Sequence, residues 1–152
     1  MIKKFHTKLY FLFISISIIV IDQLTKYWIF NKYHQLVKKD YILFRLEFVK
    51  NYGAAFNLFS GNRIFLTFIS TIFSVILFYL IVRKKSTNKL ELYSYSFILG
   101  GTFANGVDRL FSGFVIDFIN LNFINFPVFN IADISINIGF IILLYNIFKN
   151  NR

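Results

Sequence analysis

Four of the seven acidic residues in this 152-residue chain lie inside or beside long apolar stretches: Asp22, Asp108, Asp117 and Asp133. A carboxylate in or near hydrocarbon is costly unless it has a partner or faces water, so each of the four is a candidate functional residue. Two carboxylates in one partly dry pocket share a single proton, which suits them to act together as a general acid and a general base. Because Asp108 and Asp133 each end an Asn-x-x-Asp phrase, spacing alone favours those two as the pair.

The composition limits the classes of protein to which the chain can belong. Hydrophobic residues make up 57% of it, phenylalanine alone contributes 22 residues, and cysteine is absent. We therefore expect a single membrane-embedded domain over residues 1–152, without disulfides or a thiolate nucleophile. The two histidines are His6 and His34. Since they form no His-Glu-x-x-His pattern, we expect neither a metal nor a cofactor.

The net charge of +10 concerns the partners of the chain. In a soluble protein such a charge would suggest nucleic-acid binding. Here the lysines and arginines fall mainly between apolar stretches, where anionic lipid headgroups attract them. The charge pattern therefore favours membrane lipids, and no nucleic acid, as partners.

The elements that must position the acids are four apolar stretches, each near the length of about 20 residues that a membrane-spanning helix needs. They cover approximately residues 9–30, 64–82, 92–108 and 131–148. The first contains Asp22 and Lys26, whose spacing on a helix predicts an ion pair. A cleavable signal peptide is the alternative for this first stretch. No small-x-small cleavage site follows it, which favours an uncleaved helix.

The orientation in the membrane follows from the basic residues, which concentrate in short cytoplasmic segments. They form three clusters along the chain: Lys3, Lys4 and Lys8; Arg83, Lys84, Lys85 and Lys89; Lys149 and Arg152. These clusters predict that both termini are cytoplasmic. The basic residues of the loop 31–63 argue the other way, but they are more widely spread. With both ends inside, the four aspartates converge at one level near the outer face of the membrane.

The predicted outer loops carry strand patterns. Apolar and charged residues alternate over residues 44–47, and β-branched and aromatic residues fill 115–119, both of which indicate strands. Asn51-Tyr52-Gly53 is a turn signal. The predicted fold class is an all-α integral membrane protein, with four transmembrane helices and a small extracytoplasmic β-sheet element.

Five phrases, taken in chain order, resemble the motifs of one family, the lipoprotein signal peptidases, also called signal peptidase II or prolipoprotein signal peptidases. They are Asp-Gln-Leu-Thr-Lys at 22–26, Asn-Tyr-Gly-Ala-Ala-Phe at 51–56, Gly-Gly-Thr-Phe-Ala-Asn-Gly-Val-Asp-Arg at 100–109, Val-Ile-Asp-Phe at 115–118 and Phe-Asn-Ile-Ala-Asp at 129–133. Any one phrase is weak, whereas five in order over most of the chain are specific. The chain departs from the third motif at Ala104, where the family has glycine, and the added methyl group is expected to narrow the packing there.

The resemblance implies a membrane aspartic endopeptidase. The family removes signal peptides from bacterial prolipoproteins by cutting before a cysteine that carries a diacylglyceryl group. It implies Asp117 and Asp133 as the catalytic pair, and so moves Asp108 to a supporting role. The positions that match substrate-binding or supporting residues are Asp22, Asn51, Gly53, Asn105, Asp108, Arg109 and Asn130. The implied setting is a monomer in the bacterial cell (inner) membrane that acts on diacylglyceryl-modified prolipoproteins, with both termini cytoplasmic and the active site near the outer face.

Other interpretations of the same residues stay open at this point. A small proton or ion transporter also carries intramembrane acids, but its acids are expected to spread across the depth of the membrane. A non-catalytic membrane scaffold would tolerate Asn at both positions of the implied pair. Asp133 at a helix start could serve only as a cap, and Arg109 could either pair with an acid or position a substrate carbonyl. Phe56, Phe118 and Phe129 are candidates to line a groove for acyl chains and the signal helix.

Overall fold

The computed structural model describes residues 2–36, 39–54, 56, 58–83 and 88–150. The elements in chain order are α1 (Ile2–Leu36), β1 (Lys39–Asp40), β2 (Phe44–Asn51), α2 (Arg63–Arg83), α3 (Lys89–Phe111), β3 (Val115–Leu121) and α4 (Ile131–Asn150). A helix therefore lies at each of the four apolar stretches. Some residues used for the predicted orientation and motifs lie outside the described residues: Lys38, Ala55, Lys84, Lys85 and Arg152.

Three of the helices are long and apolar enough to cross a membrane: α1 over His6–Lys32, α2 and α4. Helix α3 is more polar and is not among them. It packs against each of the other three helices, and its buried face includes Ser94, Ser96, Asn105 and Arg109. A helix surrounded by other helices needs less apolar surface than one that faces lipid. The prediction that this helix is a fourth span stays a prediction.

Contacts between helix ends show how the bundle is arranged. The Lys8 ammonium, near the start of α1, donates to the carbonyl of Val82, near the end of α2. The Asn88 amide, which caps α3, donates to Asn146, near the end of α4, at 2.6 Å. These four termini therefore lie at one end of the bundle. The buried apolar cluster lies towards this end and comprises Phe11, Leu77, Ile81, Leu92, Ile98 and Leu99.

The opposite end of the bundle carries a three-stranded antiparallel sheet in the order β1-β2-β3. Strands β2 and β3 pair from Asn51 opposite Val115 to Phe44 opposite Leu121, with a shift of register between Leu46 and Val49. Both strands had been expected from the sequence pattern. The two-residue strand β1, which pairs with β2, had not, because two residues are too short to show a period.

The outside of the bundle is apolar. Large side chains such as Phe13, Ile64, Phe73 and Ile141 are at least half exposed. Contiguous apolar surface of this extent marks a surface that something else covers, and a lipid bilayer is the cover that long apolar helices require. The predicted fold class, a helical membrane protein with a small β-sheet, is confirmed by this architecture.

Candidate active site

The first turn of α4 places Asp133. Asn130 precedes the helix and its side-chain oxygen accepts a hydrogen bond from the backbone N–H of Asp133 at 2.9 Å, while Asp133 Oδ2 accepts from the backbone N–H of Asn130 at 3.1 Å. This reciprocal pair is a capping box, which satisfies two N–H groups that a helix start leaves without partners. The expectation that Asp133 could be a cap is correct. Its second oxygen, Oδ1, accepts from the amide of Asn105 at 2.9 Å, so capping does not use the whole carboxylate.

Strand β3 places Asp117 beside the start of α4. The segment before the helix runs along β3, with the N–H of Phe129 donating to the carbonyl of Ile119 at 3.1 Å and the N–H of Ile119 donating back at 2.8 Å. This pairing brings Asn130 next to the strand. The amide of Asn130 then donates to Asp117 Oδ1 at 2.7 Å. Asn130 thus contacts both candidate carboxylates, one through its side chain and the other through its backbone.

The register of the sheet supplies the second partner of Asp117. Val49 of β2 lies opposite Asp117, so Asn51, two residues further on, projects to the same face of the sheet. The amide of Asn51 donates to Asp117 Oδ2 at 2.8 Å. Its oxygen accepts from the N–H of Gly53 at 2.9 Å, a turn of the kind that asparagine commonly forms. The turn therefore fixes the orientation of the Asn51 amide.

Arg109 fixes the turn at Asn51–Gly53 through hydrogen bonds to backbone carbonyls. Its guanidinium donates to the carbonyl of Gly53 at 2.7 Å and to the carbonyl of Asn105 at 3.3 Å. Both hydrogen bonds go to backbone carbonyls and not to an acid, and the role of positioning a substrate carbonyl stays a prediction. Arg109 is buried with 9% of its surface exposed, so it fastens the β2 turn to α3 and so supports the position of Asn51.

A buried lysine links the supporting acids to the carboxylate pair. Lys26 forms ion pairs with Asp22 at 2.7 Å and with Asp108 at 2.6 Å. It also donates to the side-chain oxygen of Asn105 at 2.8 Å. Because that oxygen faces an ammonium, the NH₂ group of Asn105 must point the other way, towards Asp133. The ion pair of Asp22 with Lys26 was expected from their spacing, but the link to Asn105 was not.

Helix α1 also contacts the start of α4 directly. Asp22 Oδ1 accepts from the backbone N–H of Ala132 at 2.8 Å. Both residues are fully buried. Close packing of α3 on the same turn depends on Gly101, since a side chain there would collide with the carbonyl oxygen of Ala132. Asp22 therefore lies next to the turn that carries Asp133, although it does not contact that carboxylate.

Both candidate carboxylates line a cavity of about 520 Å³. Its walls include Asn51, Asn105 and Arg109 together with a mostly apolar surface. Phe56 and Phe129 line it as expected, whereas the expectation for Phe118 is wrong: its side chain is in the core with 5% exposed. Alternation along a strand sends neighbouring side chains to opposite faces. Since Asp117 faces the cavity, the residue after it faces the core.

Burial changes the acidity of Asp117. Loss of hydration, and after it the nearby charge of Asp133, raise the pKa of this carboxyl from 3.8 to about 7, although the hydrogen bonds from Asn51 and Asn130 lower it. Asp117 has 2% of its surface exposed. A carboxyl with a pKa near neutrality holds a proton at the pH where a neighbouring carboxylate is ionised. Within the residues described, no three His, Cys, Asp or Glu side chains group as a metal site would require.

The structure brings all nine sequence-selected residues into one connected cluster, in two layers. The residues that line the cavity are Asp117, Asp133, Asn51, Asn105 and Arg109. The residues behind them are Asn130, Gly53, Asp22 and Asp108. Lys26 and Gln23 also belong to this cluster, although they are not among the site residues predicted from the sequence. The Gln23 amide donates to Asp108 at 2.8 Å. The signal that could have found Lys26 is a lone basic residue within an apolar stretch, since such a charge needs carboxylate partners.

Comparison with solved structures defines the class of protein. The fold matches a bacterial membrane enzyme determined by the in meso method at 2.3 Å, with a TM-score of 0.87 and 29% identity, covering 93% of this chain and 89% of that one. A second bacterial membrane enzyme, determined at 1.9 Å, gives a TM-score of 0.81 and 30% identity over 91% of this chain and 92% of that one. The fold is that of a bacterial membrane enzyme.

Comparison of sequences defines the family. Residues 14–149 match the family described as signal peptidase (SPase) II. The lipoprotein signal peptidase of Wigglesworthia glossinidia brevipalpis is 42% identical over 138 residues, 88% of this chain and 90% of that protein. That of Microcystis aeruginosa is 37% identical over 149 residues, 96% of each chain. The chain belongs to the signal peptidase II family of bacterial membrane proteases.

Proposed function

We propose that this chain removes signal peptides from bacterial prolipoproteins as an aspartic endopeptidase, cutting before the diacylglyceryl-modified cysteine. The observation that carries the proposal is the pair Asp117 and Asp133, which lines one cavity and is bridged by Asn130. A second asparagine amide donates to each carboxylate, Asn51 to Asp117 and Asn105 to Asp133. Neutral amides orient the two carboxylates without adding charge. The family match supports this reading over the transporter alternative.

The proposed mechanism uses the different surroundings of the two carboxylates. Asp133 accepts a backbone N–H within the first turn of a helix, a setting that favours negative charge. Asp117 has the raised pKa of about 7 and holds the proton that the pair shares. Asp133 then accepts a proton from water as the water attacks the scissile carbonyl, and Asp117 donates its proton to that carbonyl oxygen. In the second half Asp133 gives the proton it took from water to the leaving nitrogen as the C–N bond breaks, and Asp117 takes a proton back from a hydroxyl of the gem-diol intermediate. The pair returns to its starting state, and no covalent enzyme intermediate forms.

The proposed site for the lipid and the signal helix is the apolar part of the cavity. Phe56, Phe126, Val128, Phe129 and Ile136 line it. An acyl chain or an apolar helix gains by leaving water for such a surface. Every side chain in the cluster comes from one chain, so we propose that a monomer is sufficient.

The proposed topology places both termini in the cytoplasm and the sheet with the active site at the outer face of the bacterial inner or sole cell membrane. The end of the bundle where α1 starts and α4 ends carries Lys8, Arg83, Lys89 and Lys149. Basic residues concentrate on the cytoplasmic side. Helix α3 has 23 residues, about 35 Å at the usual rise, which is sufficient for the fourth span.

Cleavage of a defined substrate tests the proposed function. The purified chain in detergent is mixed with a diacylglyceryl-modified prolipoprotein, and mass spectrometry identifies the new N-terminus. We expect a new N-terminus at the modified cysteine, and much slower cleavage of the same prolipoprotein with an unmodified cysteine. Cleavage at another bond, or equal cleavage of both forms, would contradict the proposed specificity.

A further inference from the structure

A second cavity, of about 800 Å³, adjoins the one that holds the carboxylate pair. The two cavities share Phe56, Phe126 and Pro127 as lining residues. The rings of Phe56 and Phe126 meet edge to face at 6.3 Å, so they form a common wall. The second cavity therefore lies next to the one that holds the carboxylate pair, on the other side of these two rings.

The two cavities differ in the chemistry of their surfaces. The surface of the first is mostly apolar, whereas that of the second is mostly polar. The polar residues that line the second are Arg45, Asn120, Asn122 and Asn125. A polar surface suits chain that leaves the membrane for water, and an apolar surface suits an acyl chain or a signal helix.

The polar side chains of the second cavity are held by neighbours on the sheet. Arg45 forms an ion pair with Glu47 at 2.5 Å, and the Asn120 amide donates to the same carboxylate at 3.0 Å. The Asn122 amide donates to the carbonyl of Tyr41 at 2.7 Å. Side-chain amides both donate and accept hydrogen bonds, as the backbone of an extended polypeptide does. The Arg45 side chain is 45% exposed and so remains accessible to a second carboxylate.

We propose that the second cavity binds the first residues of the polypeptide that follow the cleaved bond, and that Arg45 favours an acidic residue among them. The inference rests on the proposed function, because it assumes that a polypeptide is cut at Asp117 and Asp133. The order of the cavities then gives the substrate its direction: lipid and signal peptide on the apolar side, released protein on the polar side. Glu47 moderates the preference, since it competes for the same guanidinium.

Paired substrates test this inference. Diacylglyceryl-modified prolipoprotein peptides are made with Asp, Asn or Lys at the second and third positions after the cut, and kcat/KM is measured with the full-length enzyme. We expect wild type to prefer the Asp peptide over the Lys peptide by about threefold, the range of a partly exposed ion pair. Arg45→Gln should bring that ratio close to one, and Glu47→Gln should increase it. Lys32→Gln removes the same charge from the exposed end of α1, outside both cavities, and should leave the ratio as in wild type.

The outcomes separate this inference from the proposed function. Equal cleavage of the Asp and Lys peptides by wild type and all three variants overturns the inference and leaves the proposed function intact. Failure to cut any peptide overturns both. The Asn peptide reports whether each variant is folded and active. If a variant does not cut the Asn peptide, the wild-type ratio of kcat/KM for the Asp and Lys peptides is measured at rising salt concentration instead. This ratio should fall towards one, because salt screens exposed charges. A ratio that does not change with salt contradicts the role of Arg45.

Discussion

Replacing Asp117 by asparagine should make the folded protein more stable relative to wild type at about pH 8 than at about pH 4. The reason is that the folded protein keeps this carboxyl protonated to a higher pH than the unfolded chain does. Its pKa is raised from 3.8 to about 7 by burial and by the charge of Asp133. Stability from this group is therefore fully present below about pH 4 and is lost as the pH rises through about 7.

The structure sets the size of the effect. The difference between 3.8 and about 7 corresponds to on the order of 4 kcal/mol of unfolding free energy, the most that ionisation of this one group can remove. The asparagine variant does not ionise, so it avoids the loss. Asn51 and Asn130 each donate to one oxygen of Asp117, so the NH₂ group of an asparagine there replaces one acceptor by a donor and lowers stability by an amount that does not depend on pH. The variant should therefore be less stable than wild type at low pH, and the difference should shift in its favour as the pH rises.

The assay is unfolding of both proteins in one detergent at a series of pH values. We expect the unfolding free energy of Asp117→Asn minus that of wild type to increase by about 1–4 kcal/mol between about pH 5 and about pH 8. Glu47→Gln, an acid on the adjacent strand with a side chain that is 30% exposed, is the matched control and should show a much smaller change. A difference for Asp117→Asn that is constant across this range would refute the argument that burial holds the proton on Asp117.

Three further predictions concern activity and packing. Peptidase activity should fall as the pH rises above about 7, because the pair then loses the proton on Asp117; a kcat profile that stays flat to about pH 9 would contradict this. Lys26→Met leaves Asp22 and Asp108 without their cation and should lower the unfolding free energy by about 3–5 kcal/mol. Denaturation in detergent measures this free energy. A loss below about 1 kcal/mol would contradict the argument that the ion pairs of Lys26 are buried. Gly101→Ala forces α3 away from the carbonyl of Ala132, so it should lower the unfolding free energy by about 1–3 kcal/mol and slow cleavage. Unfolding in detergent and the cleavage rate measure these effects, and no change in either would contradict close packing at Gly101.

The sequence was sufficient for the four helices and for strands β2 and β3, because their patterns are local. The apolar stretches, the alternation over 44–47 and the β-branched and aromatic residues at 115–119 all correspond to observed elements. The cluster of acids at one end of the bundle also followed from the order of the stretches. The weaker case is α3, whose polar residues face other helices, so composition alone does not show whether it crosses the membrane.

The contacts within the site could not be predicted in the same way. Asn51 reaches Asp117 because β2 and β3 pair in one register with a shift between Leu46 and Val49, and no local pattern specifies that shift. Lys26 reaches Asn105 because of the rotation of α1 against α3. Spacing alone favoured Asp108 with Asp133, whereas Asp108 binds the lysine. The choice of Asp117 came from the family resemblance.

The most direct test of the central claim is cleavage of a diacylglyceryl-modified prolipoprotein by purified wild type, Asp117→Asn and Asp133→Asn, each shown to be folded by its unfolding transition. Asp108→Asn serves as the comparison from the layer behind the cavity. We expect that wild type cuts before the modified cysteine, that both variants of the pair are folded and inactive, and that Asp108→Asn retains measurable activity. Cleavage by either Asp117→Asn or Asp133→Asn at a rate close to wild type would contradict the assignment of these two carboxylates as the catalytic pair.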